Sequence, residues 1–364
     1  MSDDSAPIPQ PGILDIAPYL PGKSGAAGSN SVKLSANESP LGASPKAVEA
    51  FRAAAEQLEI YPEGTSRLLR TALAEVHGLD ADLIVCGNGS DDLLHLIAQC
   101  YLGAGDEAVM NRYGFSVYPI ITKAAGASIV MVDEVDYTAD VDLLLAAVTP
   151  RTKIVWLANP NNPTGTYLSD AEVRRLHAGL RPDILLVIDN AYAEYVTAED
   201  FAVGQALVAE TKNVVMVRTF SKMGLAAARI GWLFGSPELV DVINRVRGPF
   251  NVNLPGQLAA AAATRDVEFT ARLKAHNAQW RDWITEELDS NHIHVVPSQG
   301  NFVMLLFPDA EHARMAFTAL MERGLIVREI GPSYGIDHGL RISIGSEQAM
   351  RGVVGIIKAL VKTA

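Results

Sequence analysis

The chain has 364 residues, 49% of them hydrophobic and 20% charged, with 42 acidic against 30 basic side chains and a net charge of −12. This length and apolar content support a buried core in roughly two domains and argue against wholesale disorder. The acidic surplus argues against a general nucleic-acid binder, which needs Lys and Arg, and any small anion would need a local positive pocket.

The start, MSDDSAPIPQPG, is acidic and Pro-rich and lacks the basic first turn and apolar run of a signal peptide. Apolar windows are broken by charge or Gly before reaching membrane-spanning length. Two cysteines, Cys86 and Cys100, are too few for a disulfide framework and read as inert thiols. A soluble, cytoplasmic protein is expected, with no membrane or nucleic-acid partner.

Residues 1–35 read as an extended arm. SPKAVEAFRAAAEQL is a helix, with Ser44 as its cap and Pro45 in its first turn. YPEGTS is a turn, and RLLRTALAEVHG a helix stopped by Gly78. From Asp82 strands and helices alternate. DLIVCGNGSDDLLHLIAQCYL reads strand, Gly-rich turn, helix. DEAVMN, ASIVMVD, TKIVWLANP and DILLVID are strands, interleaved with the helices GFSVYPIITKAAG, DVDLLLAAVTP and SDAEVRRLHAG. NVVMVRTF and IGWLFG add two strands. Short, wholly apolar strands alternating with helices imply a mainly parallel sheet covered on both faces, with ligands at the strands' carboxyl ends.

From Pro255 to about Leu288 the period is helical. Residues 290–364 then read as strands IHVVP and NFVMLLF, helix AEHARMAFTALMERG, strands LIVRE and LRISIG, and a last helix. The expected architecture is α/β: a seven-stranded, mainly parallel large domain over 45–257, with a smaller α+β unit. That unit comprises an interdomain helix and the C-terminal part, 258–364, and takes in the arm, 1–44.

Four strand ends carry polar groups. Gly87, Gly89 and Ser90 form either a tight turn capped by Ser90 or a phosphate nest at a helix start. NPNNPTG, 159–165, is an irregular loop in which Asn162 could offer an amide to a ligand oxygen. Asp189 ends an apolar strand, where a carboxylate is costly unless paired. It either caps the next segment or meets a protonated ring nitrogen, with Tyr192 one turn further on. Thr219, Ser221, Lys222 and Arg229 follow another strand. Lys222 is either solvent-facing or an amine of lowered pKa able to capture an aldehyde. Together the four offer a phosphate nest, a carboxylate, a Tyr and a reactive amine, which is what pyridoxal phosphate requires. In HIH, 292–294, two imidazoles lack a third ligand at metal spacing, so no metal is expected.

Over nearly its whole length the chain resembles the fold-type I pyridoxal-phosphate aminotransferases, most closely the histidinol-phosphate aminotransferase subgroup. The resemblance rests on ILDIAPYLPG, KLSANESPLG, YPEGTSRLLRTALA, CGNGSDDLL, NPNNPTG, DNAYAEY, RTFSK and LRISIG. It implies that Lys222 forms the Schiff base and shuttles the proton, while Asp189 keeps the pyridine nitrogen protonated. Tyr192 and Asn162 would bind the ring oxygen. Gly89, Ser90, Asp91, Thr219, Ser221 and Arg229 would line the phosphate cup, and Tyr113 would stack on the ring. Tyr61 would reach the phosphate in a partner subunit, making a homodimer. Arg341 would grip the substrate's anion. Arg328 and Tyr19 would help at the substrate's phosphate end, Asn37 would line the pocket, and Asn301 would lie near Arg341. The implied reaction transfers glutamate's amino group to imidazole-acetol phosphate, giving histidinol phosphate. An aromatic amino-acid aminotransferase or a threonine-phosphate decarboxylase-like lyase would use nearly the same residues, and both readings stay open here.

Overall fold

The computed structural model describes residues 9–19, 22–23, 31–289 and 293–361. The acidic first eight residues, the Gly- and Ser-rich part of the arm at 24–30, and His292 lie outside the described residues.

After a two-residue strand β1 (Val32–Lys33) come β2 (Ile84–Gly87), β3 (Glu107–Asn111), β4 (Ser128–Val132), β5 (Thr152–Ala158), β6 (Leu185–Asp189), β7 (Val214–Thr219) and β8 (Gly231–Gly235). Strands β2 to β8 form one sheet in the order β2-β8-β7-β6-β5-β3-β4. Within it β8 runs against both neighbours, and the remaining pairings are parallel. The wholly apolar runs explain this arrangement, because a strand without a polar face needs cover on both sides. Val155, Leu157, Leu186 and Ile188 face one apolar layer, and Ile154, Trp156, Leu185 and Val187 the other. The crossover helices start on local signals: Asp140 accepts from the Leu143 N–H and Ser169 from that of Glu172.

The second sheet follows, from β9 (His294–Val296), β10 (Phe302–Leu306), β11 (Leu325–Ile326), β12 (Arg328–Glu329) and β13 (Gly339–Ser343). Its order is β12-β13-β10-β9, antiparallel throughout. Val303, Leu305 and Ile342 pack there against Trp280, Ile284, Val353 and Ile357 of the long helices. β11 stands apart and pairs with β1, so the arm is tied to this unit by backbone hydrogen bonds.

Three details depart from the sequence reading. LIVRE is two short strands in different sheets, divided at the buried Val327. The helix expected from Pro255 to Leu288 is two, Leu254–Arg265 and Val267–Leu288. Asp266 leaves the helical region between them (φ −89°, ψ 63°), and its carboxylate takes the Ser44 hydroxyl and the Lys46 amine. No Gly or Pro announces that break; a tertiary contact makes it. Helices Gln205–Glu210 and Pro237–Val246 were unassigned, although Ser236 caps the second in the ordinary way.

Candidate active site

Parallel strands deliver their carboxyl ends to one edge of a sheet. Ala158 of β5 and Val217 of β7 are the register partners of Asp189 on β6. Beyond this edge lies a cavity of about 690 Å³, closed on the far side by the arm, β12 and β13.

One end of the cavity suits an anion. Because β8 runs backwards, its first residue, Gly231, sits between Gly87 and Thr219. A Cβ on Gly231 would lie 2.3 Å from the Ser90 nitrogen, so only glycine lets β8 approach the helix start this closely. No side chain caps helix Ser90–Tyr101, and Gly89 precedes it with φ +87°. Its first N–H groups and its dipole therefore favour negative charge. Thr219 Oγ1 donates to Ser221 Oγ at 3.0 Å and accepts from the Ser221 N–H. Arg229 reaches Ser221 Oγ at 3.3 Å and the Asp91 carboxylate at 3.1 Å. Ser90, Asp91, Thr219, Ser221 and Arg229 all line the cavity. Gly89 does not; it gives room to Arg229, whose Nη2 would be 2.7 Å from a Cβ there.

Lys222 stands on a 3₁₀ turn, Ser221–Met223, directly after β7. Its amine donates to the Ala36 carbonyl at a long 3.5 Å and lies 5.7 Å from the centre of the Tyr192 ring. Burial first, and the Arg341 charge second, bring its pKa down to about 8. Asp189 is 4% exposed. Burial pushes its pKa up to about 6, against a lowering hydrogen bond from Tyr118. The Tyr118 phenol donates to Asp189 Oδ2 at 2.8 Å, whereas Oδ1 is buried with no hydrogen-bond partner among the described residues. An unpaired carboxylate oxygen at this depth is what a cationic ring nitrogen would satisfy.

The substrate end is a linked polar network. Asn37, at φ +56°, donates to the Tyr192 phenol at 2.9 Å and accepts from Ser343 at 2.9 Å. Asn301 lies behind the wall and holds the Asn37 carbonyl at 2.9 Å. Arg341 on β13 donates to Asn162 Oδ1 at 2.5 Å and to the Ser35 carbonyl at 2.6 Å, while its Nε is buried without a partner among the described residues. Arg328 of β12 is register-paired with Arg341 and lines the same cavity, as does Tyr19 of the arm.

Tyr113 lies away from the cavity, and Tyr61, expected to serve a neighbouring subunit, lies outside it as well. Tyr113 does not line the cavity: the chain turns after β3, and its ring stacks on Tyr137 at 5.8 Å. Phe115 occupies the wall instead, edge-on to Tyr118. Tyr61 is 78% exposed and stacks on Phe250 at 4.8 Å, outside this chain's own cavity. The sequence reading also passed over Tyr118 and Tyr334. Tyr118 sits among apolar neighbours at helical spacing, where a tyrosine is indistinguishable from packing, and Tyr334 lies in the Gly- and Pro-containing stretch GPSYG, which reads as a turn.

Residues 29–357 match the family model described as aminotransferase class I and II. A histidinol-phosphate aminotransferase of Rhodopseudomonas palustris (strain BisB18) is 53% identical over 355 residues, covering 96% of this chain and 97% of that one. One of Nitrobacter hamburgensis is 53% identical over 352 residues, covering 95% and 96%. The crystal structure of histidinol-phosphate aminotransferase from Sinorhizobium meliloti in complex with pyridoxal-5′-phosphate superposes with a TM-score of 0.85, at 29% identity and 91% coverage of both chains.

Proposed function

The chain belongs to the class I and II aminotransferases, and from that premise we propose that it exchanges an amino group between L-histidinol phosphate and 2-oxoglutarate, with pyridoxal 5′-phosphate as cofactor, as a step of histidine biosynthesis. The observation that carries this reading is the pairing, in one cavity, of the low-pKa amine of Lys222 with the partnerless oxygen of Asp189.

When bound, pyridoxal phosphate supplies an aldehyde for an amine and a ring that accepts electrons while its nitrogen is protonated. The residues present fit that group. Gly89 shapes the anion cup, and the N–H groups of Ser90 and Asp91, the hydroxyls of Thr219 and Ser221, and Arg229 would hold the phosphate. Asp189 would face the ring nitrogen, with Tyr192 and Asn162 beside the ring oxygen. Phe115, rather than Tyr113, would cover the ring face.

Lys222 then has two tasks. It would hold the aldehyde through its amine and, when that amine is free, would carry a proton from the donor's Cα. A pKa near 8 suits this, because a useful fraction of the amine is neutral near neutral pH. Arg341 would clamp the substrate's anionic group, already oriented by Asn162 and the Ser35 carbonyl. Arg328 and Tyr19 would add contacts at the phosphate end, Asn37 would close the pocket beside Tyr192, and Asn301 would hold Asn37 in place.

The expected division at 44/45 and 257/258 belongs to the same proposal. One unit carries the cofactor groups; the arm and the C-terminal unit bring Asn37, Arg328 and Arg341. We also place the enzyme in the cytoplasm as a homodimer, with Tyr61 reaching the neighbouring site. Its 78% exposure in the single chain supports that assignment. Among the described residues no helix is long and apolar enough to cross a membrane.

The deciding assay supplies cofactor, L-histidinol phosphate and 2-oxoglutarate and measures glutamate. Glutamate formation, with phenylalanine turned over far more slowly, is expected. Preferential turnover of phenylalanine, or carbon dioxide release without a keto acid, would overturn the substrate assignment.

A further inference from the structure

We propose that Tyr118 is a positioning residue for the reaction: its phenol fixes the Asp189 carboxylate by one oxygen, keeping it ionised with the other oxygen free for the cofactor ring. This rests on the proposed placement of the cofactor against Asp189.

Tyr118 is fully buried on the helix Val117–Ala124. Its ring lies nearly parallel to Trp156, at 5.3 Å and 7°, and Phe115 meets it edge-on. Trp156 is itself fixed, its indole N–H donating to Thr122 Oγ1 at 3.1 Å. The phenol therefore cannot swing away from Asp189 without disturbing three packed rings. Burial raises the phenol's own pKa well above its ordinary value, so it acts as a neutral donor.

The other charged and titratable groups facing Asp189 are Asp91, which raises its pKa, and Lys222, which lowers it; Tyr192 lies close by. Burial dominates them all. Tyr118 is the side-chain donor opposing burial, ahead of the smaller contribution of the Ala191 backbone N–H, and among the described residues Oδ1 has no hydrogen-bond partner. Without that bond the carboxyl would retain a proton nearer neutral pH. The proton would then sit on Asp189 rather than on the ring nitrogen, and the ring would lose its ability to draw electrons.

The test uses Tyr118→Phe, which keeps the ring stack, and 3-fluorotyrosine at position 118, a stronger donor of nearly the same shape. In the cofactor-free protein, carbon-13 NMR of labelled aspartate follows the Asp189 midpoint. The midpoint is expected to rise in Tyr118→Phe and fall with fluorotyrosine. With nitrogen-15-labelled cofactor, the ring nitrogen should carry the proton in a smaller fraction of Tyr118→Phe than of wild-type molecules at neutral pH. Its kcat should fall about tenfold with KM nearly unchanged, the size of one charge-assisted hydrogen bond. Tyr167→Phe, which loses a surface bond to Asp200, should change none of these. An Asp189 midpoint and ring-nitrogen signal unmoved by both substitutions would overturn the proposal. Wild-type protein that takes up no cofactor would instead defeat the underlying functional reading, while the Asp189 midpoint would still judge the Tyr118 contact.

Discussion

Arg341 donates through Nη1 to the amide oxygen of Asn162 at 2.5 Å, which ties the small sheet to the loop following β5. The guanidinium is thus oriented before any ligand arrives, and its unpartnered Nε marks where hydrogen-bonding capacity remains. Lysine cannot reproduce a planar fork held from two sides. Arg341→Lys is therefore expected to lower kcat/KM for the anionic substrate by about 100-fold, or roughly 2–3 kcal/mol, mainly through KM. Steady-state kinetics at fixed 2-oxoglutarate check this.

With Lys222 as the proposed point of attachment, its pKa near 8 should make the capture of cofactor pH-dependent. Below that value the amine is protonated and cannot attack. Uptake of pyridoxal phosphate by the cofactor-free protein should accelerate as pH rises through about 8 and then level off. Arg341→Gln removes a charge that depresses this pKa, so its midpoint should move to higher pH. Stopped-flow absorbance across the pH range measures both.

Asp189, the proposed partner of the ring nitrogen, is a buried carboxyl that should destabilise the cofactor-free chain at neutral pH. Its pKa is about 6 in the fold against an ordinary 3.8, so the folded state binds the proton more tightly than the unfolded one. Stability from this group is full below pH 3.8 and is lost as pH rises through 6. Above that, the buried charge costs at most about 3 kcal/mol. Asp189→Asn should raise the melting temperature of the cofactor-free protein at pH 7.5 but not at pH 4, while abolishing turnover. Calorimetry at the two pH values separates the cases.

Much of this was legible beforehand. The sheet could be read because wholly apolar runs between helices have few other solutions. Lys222, Asp189 and the helix start at Ser90 were legible because strand ends leave polar groups in conspicuous places. Tyr118 was not: nothing in FSVYPII separates a tyrosine that bonds a carboxylate from one that merely packs. Phe115 was missed for a related reason, since the two-residue course of the turn after β3 decides which aromatic of NRYGF reaches the cavity. The break at Asp266 depends on Ser44 and Lys46, more than two hundred residues away in sequence.

The proposed homodimer predicts complementation between damaged subunits. Tyr61→Ala should weaken cofactor retention although Tyr61 lies outside its own chain's cavity. Mixed with Lys222→Ala protein under conditions of subunit exchange, it should regain activity, because hybrid dimers contain one site with both residues intact. If mixing restores nothing while native mass spectrometry shows hybrid dimers, Tyr61 does not serve the neighbouring site.

The most direct measurement is reduction of the cofactor-loaded protein with borohydride, followed by peptide mass spectrometry. A single phosphopyridoxyl group is expected on the peptide containing Lys222, and none on Lys222→Ala protein treated identically. A label on any other lysine, or a loaded protein that borohydride leaves unmodified, would contradict attachment at Lys222.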